Sequence, residues 1–161
     1  LDLQKYPGQI FTCSALKYAK EFNTNLIDLD IGKIEKIDGI ISNDWDKYSI
    51  HIIEPLLNLI PSRGKLINYN FHNNGNESTL FLSYETIDEI TISTMGSIKV
   101  EPQINIIGEK KSIKLVFKDT FFAFKYALNN FIKMINSKNS FTDKDSLLEI
   151  ISLIEIGIIN G

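Results

Sequence analysis

No Gly-x-Gly occurs anywhere in these 161 residues. The chain therefore carries neither a dinucleotide fingerprint nor a phosphate loop, both of which need closely spaced glycines to bring backbone N–H groups onto phosphate. A Gly-x-Ser-x-Gly elbow is missing too, which removes the sequence mark of a hydrolase nucleophile. Cys13 is the only cysteine, so no internal disulfide can form and a cytoplasmic location is the default. It lies in an apolar run and reads as buried filler rather than a nucleophile. The two histidines, His51 and His72, lack metal-ligand spacing with each other or with Cys13, so no metal site is expected. No apolar run approaches the roughly 18 residues that span a membrane. Leu1 to Lys5 do not resemble a signal peptide. A net charge of −3 gives no basic excess, so nucleic acid is not an expected partner.

What remains is ordinary globular composition, 43% hydrophobic and 23% charged. The length suits one domain that buries about 70% of its unfolded surface. Isoleucine greatly outnumbers valine, and lysine and asparagine are abundant, which points to AT-rich coding more than to function. The chain begins without methionine and its start reads as the tail of a helix, so a piece of a longer protein is expected. Neither internal repeats nor low-complexity segments occur, which excludes a solenoid.

Read for periodicity, Gln9 to Cys13 forms a short strand entered through Pro7-Gly8. Ser14 caps a helix running to about Phe22. Asn23 to Asn25 is a break, and Gly32 to Ser42 is a strand pair or one long bent strand. Asp44 or Asp46 caps a central helix that ends at Pro61-Ser62-Arg63-Gly64. A strand-rich block comes next: Lys65 to Phe71, a hairpin turn at Asn73-Asn74-Gly75-Asn76, then Thr79 to Tyr84, Glu89 to Met95, Ile98 to Ile107 and Ser112 to Phe117. Two helices close the chain, Thr120 to Asn136 and Asp143 to Ile159, the second capped by Thr142. Their apolar stripes, Phe121, Phe124, Leu128, Phe131 and Ile135, then Leu147, Ile150, Ile151 and Ile154, read as core. The sum is an α+β domain with an open, mostly antiparallel sheet and helices on one face. Leu80, Leu82, Ile90, Ile92, Ile104 and Ile106 make both sheet faces look apolar, so self-association through the face away from the helices is expected.

The stretch from Asp44 to Pro55 is the densest in chemistry. It holds the only tryptophan, one of the two histidines, and a proline inside a helical pattern. Lys47, Tyr48, His51, Glu54 and Pro55 fall at helical spacing on one face. Pro55 cannot donate to the carbonyl four residues back, and that residue is His51, the group here that titrates near neutrality. His51 is then either a satisfied, half-buried helix histidine or an acid–base group. His72, beside the Asn-Gly turn, reads as a solvated loop residue.

Trp45-x-x-Tyr48-x-x-His51-x-x-Glu54-Pro55 resembles the substrate-side helix of the Gfo/Idh/MocA oxidoreductases, which reads W-x-x-Y-G-x-H-x-x-E in one branch. Ser14-Ala15-Leu16-Lys17-Tyr18-Ala19 is similar to that family's S-A-L-R-Y-A segment. Ile107-Gly108-Glu109-Lys110 looks like its G-E-x-G hairpin, and Phe124 to Lys138 resembles its late helix with an F-x-x-M-I core. The matches run in order along nearly the whole chain.

This resemblance implies a single C-terminal substrate-binding and oligomerisation domain over residues 1–161, with the dinucleotide-binding domain lying outside this chain. It implies NAD or NADP as cofactor, held mainly by that other domain. The reaction implied is oxidation or reduction at a hydroxyl or carbonyl carbon of a sugar, sugar nucleotide or related polyol. His51 matches the residue that exchanges a proton with substrate. Lys17 falls where the family often has an arginine on substrate or cofactor phosphate; it keeps the charge and loses the bidentate fork. Tyr18, Trp45 and Tyr48 would line the substrate pocket, or serve as core aromatics. Many members carry aspartate four residues before the histidine. Lys47 stands there instead, either to meet an anionic group or simply solvated. A homo-oligomer and a sugar-like small molecule are the implied partners. The rival reading is a non-catalytic binding or assembly module on the same scaffold.

Overall fold

The computed structural model describes residues 10–23, 30–137 and 143–161. Six strands form one sheet in the order β2-β3-β4-β1-β5-β6. They are β1 (Ile34–Ile41), β2 (Leu66–Asn73), β3 (Ser78–Tyr84), β4 (Ile87–Thr94), β5 (Gln103–Gly108) and β6 (Ser112–Val116). Consecutive strands joined by short turns pair antiparallel; only β1 and β4 run parallel. Asn73 and Asn74 close the β2–β3 turn with their own side chains, which accept from the amides of Gly75, Asn76 and Glu77.

Alternation along the strands sorts the two faces. Ile37, Leu80, Leu82, Ile90, Ile92, Ile104 and Ile106 are all buried beneath the helices. At the centre of that face β1 carries Gly39, where a Cβ would come within 2.8 Å of Leu56 and 2.9 Å of Ile52. The missing side chain lets a helix settle directly on the strand. The opposite face carries the intervening residues: Asn68, Asn70 and His72 on β2, Thr79, Phe81 and Ser83 on β3, Thr91 and Ser93 on β4, and Gln103 and Asn105 on β5. It is largely polar. The six aliphatics expected to make an apolar outer face are instead the core of the inner one. Alternation permits only one of the two.

Among the described residues there are four α-helices, and they depart from the sequence pattern in three ways. The central helix is interrupted at Ser49 into α1 (Trp45–Tyr48) and α2 (Ile50–Leu59), and α2 continues through Pro55 without ending. Asp44 holds the N-cap position of α1, but its side chain makes no capping bond. Ser14 does cap, yet it opens two 3-10 turns, Ala15–Tyr18 and Lys20–Phe22, rather than one α-helix. Residues 10–13 form no strand and 98–102 lie outside β5, while 32–42 contribute one strand, the second of the two readings for that stretch. The readings at Leu1 to Lys5, Pro7-Gly8, Gln9, Thr24, Asn25, Lys138 and Thr142 fall outside the described residues.

The third departure concerns α3 (Thr120–Ser137). Its phenylalanine stripe is not core. Phe121 is 77% exposed, Phe124 60% and Leu128 57%, and Phe131 and Ile135 are also exposed. Its buried residues are Ala123 and Met134, with Ala127 and Asn130 half-buried between them on the same face. α3 packs on the turn Ala15–Tyr18 rather than on the sheet, and small residues permit that close approach. By contrast α4 (Lys144–Asn160) buries Leu147, Ile150 and Leu153 as its periodicity predicts, with Ile151 and Ile154 half-buried. Asp143 caps α4, accepting from the amides of Asp145 and Ser146.

Candidate active site

α2 presents His51 and Glu54 toward the segment before the first 3-10 turn, because residues three apart share a helix face. Glu54 is 4% exposed, and a buried carboxylate needs partners. One oxygen accepts the backbone N–H of Ser14; the other accepts from Lys17 Nζ at 3.1 Å. Lys17 is thus an ion-pair partner and not a free solvated lysine, with 27% of its side chain still open. Ser14 Oγ lies 2.8 Å from His51 Nδ1 and accepts the amide N–H of Leu16 at 3.2 Å. Cys13, Ser14, Lys17, His51 and Glu54 therefore form one cluster where α2 meets the N-terminal turn.

Burial holds the His51 imidazole below its ordinary pKa of 6.5, so the ring is kept neutral. The unfolded chain then binds a proton on this residue that the folded chain does not. The sign comes directly from that difference. This contribution to stability is full above about pH 6.5 and is lost as pH falls toward the lower folded value. His51→Gln should flatten the acid side of the stability profile below about pH 6.5, measured by urea midpoints. An unchanged profile would show that the ring is not desolvated.

Tyr18 shares a side-chain hydrogen bond with Cys13. Burial is the main cause that raises both groups above their ordinary pKa values, with the Glu54 charge adding to each. Both stay protonated at neutral pH, which leaves Tyr18 a neutral hydroxyl; Cys13 is half-buried and bonded to it rather than buried filler. Lys17 and Tyr18 line a cavity of about 320 Å³ with Phe22, Asn58, Tyr126 and Asn130. Tyr48 meets the His51 ring edge to face, with centroids 6.0 Å apart, and is itself partly exposed. Lys47 and Asp46 are exposed.

Trp45 is placed elsewhere. It is 6% exposed, its indole N–H donates to the carbonyl of Ile154 on α4 at 3.0 Å, and its ring meets Phe71 at 5.0 Å. The structure thus brings Lys17, Tyr18, Tyr48 and His51 into one region and sets Trp45 into the α1–α4 packing. His72 is exposed and sits beside Asn70 on the open face of β2.

Two participants were not evident as site residues in the sequence, Ser14 and Glu54. Glu54 could have been found from its i+3 spacing to His51; the partnership with Ser14 spans 40 residues and has no local signal. A third group steadies α2. Arg63 donates to the carbonyls of Leu57 and Ile60 and pairs with Glu149 of α4, which also accepts from Tyr84 Oη at 2.7 Å. This satisfies the C-terminal carbonyls of α2 and ties it to α4.

Among the described residues no group of three His, Cys, Asp or Glu could hold a metal ion, and no helix is long and apolar enough to cross a membrane. The residues present do not fit a dinucleotide phosphate. The strand-to-helix junctions, where a phosphate would meet a helix N-terminus, carry Asp44 before α1 and Asp119 before α3 in place of glycines.

No protein-family model and no curated protein matches the chain. Solved structures do. A dehydrogenase (MviM) from Clostridium difficile is similar at TM-score 0.64 and 14% identity, over 91% of this chain and 60% of that one. UDP-N-acetylglucosamine 3-dehydrogenase GnnA from Acidithiobacillus ferrooxidans is similar at TM-score 0.64 and 6% identity, over 93% and 61%. The chain spans about 60% of the length of these dehydrogenases. Over that span the chain shares the fold of these two dehydrogenases.

Proposed function

We propose that this chain is the C-terminal, substrate-side domain of an NAD(P)-dependent oxidoreductase that acts on a hydroxyl or carbonyl of a sugar-like molecule. The observation that carries the reading is a neutral, half-buried imidazole fixed on one nitrogen by Ser14, on a dehydrogenase fold. In this reading His51 exchanges a proton with the reacting oxygen, a task suited to a group titrating near working pH. Lys17 and Tyr18 orient polar groups of the substrate from the adjoining cavity. The sugar class is supported by the UDP-N-acetylglucosamine dehydrogenase among the structural relatives. The low cysteine count supports a reducing, cytoplasmic setting.

Nicotinamide nucleotide would be held by the part of the protein that corresponds to the rest of the relatives' length. Calorimetric titration of NADH and NADPH into the 161-residue chain should show no micromolar binding. Micromolar affinity for either would overturn this division of labour.

The second reading, a non-catalytic assembly module, is favoured by one observation: α3 leaves Phe121, Phe124 and Leu128 exposed, a row of large apolar side chains of the kind that marks an interface. Sedimentation at tens of micromolar separates the two. Association abolished by Phe121→Ser with Phe124→Ser, together with full turnover by His51→Gln, would favour assembly. Association through the open sheet face, also proposed here for a homo-oligomer, would rest on its polar rows and on Phe81 and Ile107, both exposed.

A further inference from the structure

We propose that Ser14 is a positioning residue that holds His51 in a single tautomer, with its hydrogen on Nε2. This deepens the reading of His51 given above and rests on the same site. Ser14 Oγ has one hydrogen to give, and it already accepts the Leu16 amide as the cap of the first 3-10 turn. Buried and with no other acceptor in range among the described residues, that hydrogen is directed to His51 Nδ1, 2.8 Å away. An Nδ1 that accepts cannot also carry a hydrogen, so the neutral ring carries it on Nε2. Ser14 cannot drift to relax this. It is 1% exposed, and its backbone N–H is held by the buried Glu54 carboxylate, which Lys17 holds in turn. Among the described residues the ring meets the Ser14 hydroxyl and Tyr48 from α1, and the Glu54–Lys17 pair holds the Ser14 backbone.

The arrangement has a direction. An Nε2–H donor, presented away from Ser14, complements an oxygen that accepts a hydrogen bond. It suits a carbonyl better than a hydroxyl that must first give its proton up. To act on the hydroxyl from the neutral ring, His51 must present a bare Nε2. The ring hydrogen would then sit on Nδ1, and Ser14 Oγ would have to turn from donor to acceptor while still accepting from Leu16. The ground state is thus set to hydrogen-bond the carbonyl form of the substrate, and Ser14 sets it. The proton that the reduced oxygen takes up comes from the imidazolium, formed when Nδ1 gains a proton from solvent and Ser14 Oγ turns to accept from it.

The test is long-range proton–nitrogen NMR of the ¹⁵N-labelled 161-residue chain at mildly alkaline pH, with His51 assigned by its loss in His51→Gln. The expected spectrum has a hydrogen-free Nδ1 and a protonated Nε2 for His51. Ser14→Ala should move the ring to a tautomer mixture, and Ser14→Thr should restore the single form. In the oxidoreductase, Ser14→Ala should lower carbonyl reduction roughly tenfold, the weight of one hydrogen bond of ordinary strength; Ser14→Thr should recover it. A wild-type His51 protonated on Nδ1 overturns the proposal, and that result needs no variant to fold. So does a Ser14→Ala spectrum identical to wild type. Failure of the broader reading looks different: the tautomer is as described, but His51→Gln leaves turnover intact.

Discussion

Under the proposed oxidoreductase reading, His51→Gln is expected to lower turnover by ~10²–10⁴-fold, the usual contribution of a general acid–base group. Glutamine keeps a polar side chain of similar length and can still meet Ser14, so the loss isolates proton exchange from packing. Cofactor affinity should stay nearly constant, because α2 offers no glycine-rich turn to a phosphate. The limb of the pH–rate profile nearest neutrality should vanish with the imidazole, displaced below 6.5 in the wild type by burial of the ring. His72→Gln should change neither quantity, since His72 is exposed on the open sheet face. Near-normal turnover in His51→Gln would remove the catalytic assignment and favour the assembly module.

The largest stability effect is expected at the α1–α4 contact. Trp45→Ala removes a buried aromatic and its hydrogen bond to Ile154, and should cost about 3–5 kcal/mol, or roughly 10 °C in melting temperature for a chain of this size. Gly157 supplies an internal check. Its Cα faces the Trp45 indole so closely that any Cβ would overlap the ring. Alanine in place of an interior helix glycine ordinarily gains about 0.5–1 kcal/mol. Here Gly157→Ala should instead cost ~1–3 kcal/mol through overpacking. In a Trp45→Ala background the sign should reverse, since the obstacle has gone. Denaturant midpoints of the four-member cycle would show this coupling as a departure from additivity. Additive costs would mean the indole is not seated against Gly157.

Much of the fold was legible because it is written in local patterns. The Asn-Asn-Gly-Asn turn, the alternation of β3 and β4, and the stripe of α4 each declare themselves within a short stretch of chain. What the sequence could not show was which side of an amphipathic element meets the core. The α3 stripe, with Phe121, Phe124 and Leu128, has the stronger apolar signal, yet the helix lies on its alanine side against Ala15–Tyr18. Periodicity reports that a face exists, not what lies opposite. The same limit applied to the sheet, where Leu80 through Ile106 looked two-sided but alternation places them all inward. At the site, His51, Lys17 and Tyr18 stood out by residue type and resemblance. Glu54 and Ser14 did not, because their roles arise from a contact between segments 40 residues apart. Trp45 stood out for its rarity, and rarity here marked a packing anchor.

The position of β1 has a consequence for how the chain reaches this state. Of the six described strands β1 is made first, yet it sits between β4 and β5 in the sheet, and Ile37 pairs with Ile90 on one side and Ile106 on the other. Neither neighbour exists until much later in synthesis. The meander β2–β3–β4 and the hairpin β5–β6 can each close over short loops, in times set by local chain diffusion. The centre strand must wait for both and then knit them together at high loop-closure cost. Refolding should therefore show early hairpin protection in pulsed hydrogen exchange, with amides of Ile37 to Ile41 protected last, in the same step that completes the sheet.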